Sequence, residues 1–173
     1  MDYSSPYVRL YFKARQLVKK LLVMLPFKRP VFLGLRALGI TPPFYQNLFF
    51  TGPFSFALEG KEVRMLHTSY QVENNLFWKG VNGDWEKTSL HIWMVAAKDA
   101  RVILDIGANT GAYSLIAKSV NPDARVIAFE PLPKAIEYFK KNCALNKFDM
   151  TLYEKALSNF EGNAVVHLET SED

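Results

Sequence analysis

Two acids and a turn of small residues carry the chemistry that this sequence can do. Val102-Ile103-Leu104-Asp105-Ile106-Gly107-Ala108-Asn109-Thr110-Gly111 runs from an apolar strand through an acid into a glycine turn. An amphipathic stretch follows, Tyr113-Ser114-Leu115-Ile116-Ala117. Gly107 and Gly111 lack a Cβ, so the backbone can bend sharply there and approach a ligand closely. The N–H groups of such a turn, and the start of the helix behind it, favour a negative group such as a carboxylate or phosphate. Asp105 places an anion in the same pocket, which repels a pyrophosphate and suits a ligand bearing an ammonium or sulfonium. A second apolar strand, Arg125-Val126-Ile127-Ala128-Phe129, ends at Glu130, where an acid can accept hydrogen bonds from both hydroxyls of a ribose.

These residues need strand, turn, helix and parallel strand to hold them, and the spacing from Gly111 to Glu130 leaves room for one short crossover helix. The pattern predicts one half of a nucleotide-binding α/β domain. It does not fit the dinucleotide fingerprint G-x-G-x-x-G, because Asn109 stands at the second glycine position and no third glycine follows at the required spacing. Each acid taken singly also fits a turn former or helix cap, and a glycine turn also serves to pack a helix on a sheet. Their joint order and spacing favour the ligand reading. Tyr113, in the helix's first turn, either touches the ligand or packs.

The turn, together with Ala128-Phe129-Glu130-Pro131-Leu132-Pro133 and Asn142-Cys143-Ala144-Leu145-Asn146, resembles the FkbM family of S-adenosylmethionine-dependent methyltransferases. Lys155-Ala156-Leu157-Ser158 and the Glu161-Gly162 turn resemble that family's third strand and the hairpin after it. Phe77-Trp78-Lys79-Gly80 and Trp85-Glu86 resemble its lead-in segment, so the likeness covers roughly residues 70–168. The resemblance implies a Rossmann-like class I methyltransferase fold with S-adenosylmethionine as cofactor. Asp105, Gly107, Ala108, Asn109 and Gly111 would then line its methionine end, Glu130 its ribose, and Pro131, Leu132 and Ala156 its adenine. It further implies O-methylation of a hydroxyl on a sugar, glycolipid or polyketide-like acceptor. The sulfonium is already activated, so such an enzyme chiefly aligns the nucleophile for in-line attack. A general base can take the hydroxyl proton, but no residue here is assigned that role. In the family the sheet continues through four more strands, with a Lys-x-Asp-x-Glu-Gly segment on the fourth. No such segment occurs before Asp173, so the α/β fold is expected to be incomplete, the chain a fragment of a longer enzyme, and the open sheet edge at Val102-Ile103-Leu104 a site of self-association. The competing reading is a non-catalytic module that keeps cofactor-like residues and works at a membrane or with a partner.

Composition bounds the rest. The 173 residues are 49% hydrophobic, enough for one core and too few for two large domains. The single cysteine, Cys143, excludes an intramolecular disulfide and fits a reducing, cytoplasmic setting. It falls on the apolar side of a helix with Ile136 and Phe139, which reads as packing. His67, His91 and His167 lie far apart, and no Cys/His/Asp cluster has metal-ligand spacing.

Charge is unevenly placed. Residues 1–40 hold eight basic residues (Arg9, Lys13, Arg15, Lys19, Lys20, Lys28, Arg29 and Arg36) against one acid, Asp2, a net +7, while the whole chain is +4. Over residues 7–25, Leu10, Tyr11, Ala14, Leu17, Val18, Leu21, Met24 and Leu25 form one broad apolar face, opposite Arg9, Lys13, Gln16 and Lys20. Such a helix either contacts an anionic membrane from the inner, cytoplasmic side or packs its apolar face on the domain. It is too short and too charged to span a bilayer. Nucleic acid is not expected, since no aromatic-basic platform accompanies the charge.

The order along the chain is therefore a basic helix with a Pro/Gly-rich connector (1–53) and then a partial methyltransferase domain (54–173). The domain divides into a hairpin and lead-in helix (54–99) and the cofactor-binding unit (100–173). Phe54-Ser55-Phe56-Ala57-Leu58 and Val63-Arg64-Met65 alternate about Glu59-Gly60-Lys61, a hairpin signature. A loop is expected at Asn74, Asn75, Phe77 and Trp78. A helix over 85–98, capped by Asp84, buries Leu90, Trp93, Met94 and Ala97. Trp78 and Trp85 either close over the ligand or pack.

Overall fold

The computed structural model describes residues 6–83, 85–163 and 165. The capping role of Asp84, the strand-like run at 164–168 (Val165 aside) and the polar tail at 169–173 lie outside the described residues. Helix α1 (Pro6–Met24) and helix α2 (Lys28–Ala37) lead to a hairpin of β1 (Thr51–Leu58) and β2 (Lys61–Thr68). Helices α3 (Gln71–Lys79) and α4 (Lys87–Lys98) precede the alternating unit β3 (Val102–Ile106), α5 (Ala112–Val120), β4 (Arg125–Phe129), α6 (Pro133–Asn146) and β5 (Thr151–Tyr153).

The last three strands form a parallel sheet in the order β3-β4-β5, with Leu104 beside Ile127 and Ile127 beside Thr151. Ile103, Val126, Ala128 and Leu152 point to the covered face, where Ala97 of α4, Ala117 of α5 and Phe139 and Cys143 of α6 pack. On the other side of this helix layer lies a larger core of Phe32, Phe50, Phe54, Phe56, Met65, Leu76 and Phe77. Helix α5 sits between the two. Leu115 and Ile116 face the large core and Ala117 the sheet, so it is buried nearly all round. This is an α/β, Rossmann-like arrangement with a helical and hairpin extension.

The hairpin turn is two residues, Glu59 (φ 47°) and Gly60 (φ 79°), both left-handed as a type I′ turn requires. Phe54 faces Met65 and Phe56 faces Val63 across it. Asparagines on α6, one turn apart, hold the outer edge of β2. Asn142 Oδ1 accepts from the Leu66 N–H at 2.8 Å. Asn146 accepts from the Arg64 N–H at 2.8 Å and donates to the Arg64 carbonyl at 2.7 Å. The Asn142…Asn146 spacing thus closes a strand edge that would otherwise be open.

Three expectations are corrected. The stretch expected as a connector contains α2, with Pro30 in its first turn, where a missing N–H costs nothing. It also delivers Phe32, Phe44, Tyr45, Leu48 and Phe50 to the main core. The loop expected at Asn74 and Asn75 is helix α3, because both amides find partners: Asn74 donates to the Tyr45 carbonyl at 3.0 Å and Asn75 to the Gln71 carbonyl at 2.8 Å. The third strand of the sheet is Thr151–Tyr153, not Lys155-Ala156-Leu157-Ser158, which is exposed coil. Leu152 has a buried-face neighbour in Ala128, whereas residues 155–158 have none.

Candidate functional site

The site lies at the carboxyl ends of β3 and β4, the edge where α/β sheets of this kind bind ligands. β3 delivers Asp105, and the chain then turns through Gly107 (φ 79°), Asn109 (φ 49°) and Gly111 (φ 91°) into α5. The turn is fixed to β4: the N–H groups of Gly107 and Ala108 both donate to the Phe129 carbonyl, at 2.9 and 3.0 Å.

Glu130 organises the turn from the side. Its Oε2 accepts from the Asn109 N–H at 2.8 Å and its Oε1 from the Leu132 N–H at 2.9 Å. The residue is only 4% exposed. A carboxylate has about four lone-pair sites, and these two bonds leave the remainder for further donors. Asp105, 8% exposed, accepts from the Ser114 hydroxyl at 2.6 Å. Burial raises its pKa, the Ser114 bonds lower it, and the nearby Glu130 raises it again. Two buried acids on one turn, with no basic side chain among the described residues bonded to either, make a locally negative pocket, which favours a cationic group.

The two glycines differ. A Cβ on Gly111 would lie 2.8 Å from the Phe139 ring, so here the helix start packs directly on α6. A Cβ on Gly107 would meet nothing within 4 Å. That open space, beside exposed Asn109, is where a ligand can reach the backbone.

Sequence reasoning missed four residues that hold the turn. Thr110 donates from its hydroxyl to Glu73 Oε1 at 2.8 Å, and its carbonyl accepts from Asn142 at 2.8 Å. Glu73, fully buried, also accepts on Oε2 from the Thr68 N–H and hydroxyl and from the Tyr70 N–H. It therefore caps α3 and anchors the turn at once; burial raises its pKa. Ser114 is the fourth. Glu73 was hidden because the residues after it read as a loop, so no helix start was expected there for it to cap.

Among the anticipated residues, Asp105, Gly107, Ala108, Asn109, Gly111, Glu130 and Leu132 come together around the turn. Pro131 is half-buried beside Glu130, and Ala156 is exposed on the coil after β5. Tyr113 turns toward α4. Its ring lies against Trp85 and Trp93, its carbonyl accepts from Trp93 Nε1 at 3.0 Å, and its hydroxyl donates to Glu86. Trp78 is in the core against Phe32 and Phe77.

A stretch of 44 residues, 25% of the chain, is 46% identical to the methyltransferase sdnD of Sordaria araneosa and spans 17% of that protein. Among solved structures, a SAM-dependent methyltransferase from Agrobacterium tumefaciens aligns over 59% of this chain and 32% of its own, with a TM-score of 0.43 and 18% identity. The TYW2 protein of Pyrococcus horikoshii, in complex with MeSAdo, aligns over 79% of this chain and 51% of its own, with a TM-score of 0.43 and 18% identity. The chain thus spans about half or less of the length of each. No family model matches it.

Proposed function

We propose that this chain carries the cofactor-binding half of an S-adenosylmethionine-dependent methyltransferase of the FkbM type, acting on a hydroxyl of a sugar, glycolipid or polyketide-like acceptor. The observation that carries the reading is the pair of buried acids, Asp105 and Glu130, set on one glycine turn with Gly107 open to a ligand. The 44-residue likeness to a methyltransferase supports it. When bound, S-adenosylmethionine supplies a methyl group activated on a sulfonium.

The residues present fit such a ligand at both of its charged ends. Asp105 offers the negative charge that a sulfonium or ammonium favours, and the start of α5 offers the positive end of a helix to a carboxylate. Glu130 keeps lone pairs for ribose hydroxyls while its backbone bonds hold the turn in register. A pyrophosphate in the same place would meet Asp105 unfavourably.

Calorimetry on the purified chain tests this. S-adenosylhomocysteine should bind more tightly than NADH; the reverse order would overturn the reading. Glu130→Ala should weaken S-adenosylhomocysteine by about 1–3 kcal/mol, since it leaves polar partners unsatisfied. Binding should also weaken at acid pH as Asp105 takes up its proton, because the neutral acid no longer attracts a cation. Because the chain carries only the cofactor-binding half, methyl transfer is read on a longer chain that completes the sheet; binding there without transfer to any hydroxyl acceptor would support the non-catalytic alternative.

A further inference from the structure

The apolar face of α1 points away from the domain. The helix meets the rest of the chain on the row Val8, Arg15, Lys19 and Leu22, which is half-buried, with Leu22 against the main core. Leu10, Tyr11, Leu17, Val18, Leu21 and Met24 lie on the other side and are exposed, Leu17 by 60%, Leu21 by 59% and Met24 by 79%. A helix that served only to pack would have the opposite arrangement. Exposed Lys13 and Lys20 flank this apolar row. Exposed apolar residues continue past the corner at Phe27, Val31, Leu38 and Ile40.

The charge around this surface has one sign. No aspartate or glutamate occurs from residue 3 to residue 58, a stretch that holds eight lysines and arginines. No helix among the described residues is long and apolar enough to cross a membrane. Pairing of two copies through the same face would bring like charges together with no acid to offset them. An anionic surface meets the lysines and the apolar row at once.

We propose that α1 lies in the plane of an anionic phospholipid bilayer, with Leu10, Leu17, Leu21 and Met24 in the interface and Lys13 and Lys20 against the headgroup phosphates. The inference does not depend on the methyltransferase reading.

Co-sedimentation of the 173-residue chain with vesicles tests it. The chain should pellet with phosphatidylcholine vesicles containing about a third phosphatidylserine and leave them as salt rises from about 0.05 to 0.5 M. Leu17→Glu with Leu21→Glu, and separately Lys13→Glu with Lys20→Glu, should each lower partitioning roughly tenfold or more. These positions are exposed, so the thermal unfolding midpoint should not move. As a second readout, Leu21→Trp should add a tryptophan emission that shifts to the blue with the anionic vesicles. Absence of binding, equal binding to pure phosphatidylcholine, an unshifted emission, or variants that bind like the parent would overturn the proposal. So would a lipid-free dimer that the glutamate pair abolishes, which would give the face to a second copy.

Discussion

At the scale of single residues, the two turn glycines should separate folding from binding. Gly111→Ala puts a methyl into the Phe139 ring at a left-handed φ, so it should destabilise the fold by about 2–4 kcal/mol. Gly107→Ala meets open space and bears only the backbone strain, about 1 kcal/mol. Its methyl would nevertheless occupy the side from which a ligand approaches, so S-adenosylhomocysteine affinity should fall by more than stability does. Denaturant unfolding and calorimetry on both variants check this, and equal losses of stability would contradict the packing difference. His67 offers a pH test. Its Nδ1 accepts from the Ser69 N–H at 3.1 Å, which leaves Nε2 to donate to Asn74 at 3.3 Å and fixes a neutral ring. Burial holds its pKa near 4, below the ordinary 6.5. The folded state therefore binds this proton less readily than the unfolded chain. The stability it contributes is full above pH 6.5 and is lost, to a total of about 3 kcal/mol, as pH falls from 6.5 through 4. Glu73 and Asp105, raised by burial, act in the opposite sense, because their contribution is lost as pH rises through their folded pKa. Urea titrations of the parent and His67→Gln at several pH values isolate the histidine as their difference, and the variant should lose the fall in stability that the parent shows relative to it between pH 6.5 and 4. An unchanged slope would assign the dependence elsewhere.

At the scale of elements, Glu73 links α3 to the glycine turn through carboxylate oxygens that serve both. Glu73→Ala should leave the Thr110 hydroxyl and the donors of Thr68 and Tyr70 without an acceptor, at a cost of about 2–4 kcal/mol. Hydrogen exchange should speed up at residues 108–111 as well as at the start of α3; acceleration confined to α3 would show that the turn is held without it. This coupling explains what could be read from the sequence and what could not. The strand–turn–helix–strand unit from Val102 to Glu130 was legible because its apolar runs, glycines and terminal acids are all local signals. The hairpin was legible for the same reason, through the alternation about Glu59 and Gly60. Helix α3 was not. Asn74 and Asn75 favour turns when their amides compete for the backbone, and only tertiary partners on Tyr45 change that balance: its carbonyl accepts from Asn74 and its hydroxyl donates to Asn75. Helix α2 was hidden by Pro30 and Gly34, residues that break helices in the middle and are tolerated near an end or where Phe32 supplies the packing. The position of β5 depended on which residues met Ala128 and Phe129, a long-range fact.

At the scale of the whole molecule, one face of the parallel sheet decides how the chain behaves in solution. Helices α4, α5 and α6 all pack on the side of Ile103, Val126 and Ala128. On the other side Val102, Leu104 and Ile106 are exposed, beside Tyr153, which stacks on Phe129 at 5.1 Å. Among the described residues β3 also has a neighbour only on its β4 side, so its other edge presents free N–H and C=O groups. Apolar side chains and an open backbone edge on one strand form a template for pairing. Residues 1–173 alone should therefore self-associate at micromolar concentration, with a broad distribution in sedimentation velocity. Leu104→Lys and Ile106→Lys place charges on the exposed face without entering the core, and each should narrow that distribution toward the monomer while the unfolding free energy stays within about 0.5 kcal/mol of the parent. Their effect should be independent of Leu17→Glu and Leu21→Glu on α1, which act on vesicle binding. A parent chain that sediments as a monomer over the whole concentration range would show that this face is tolerated bare.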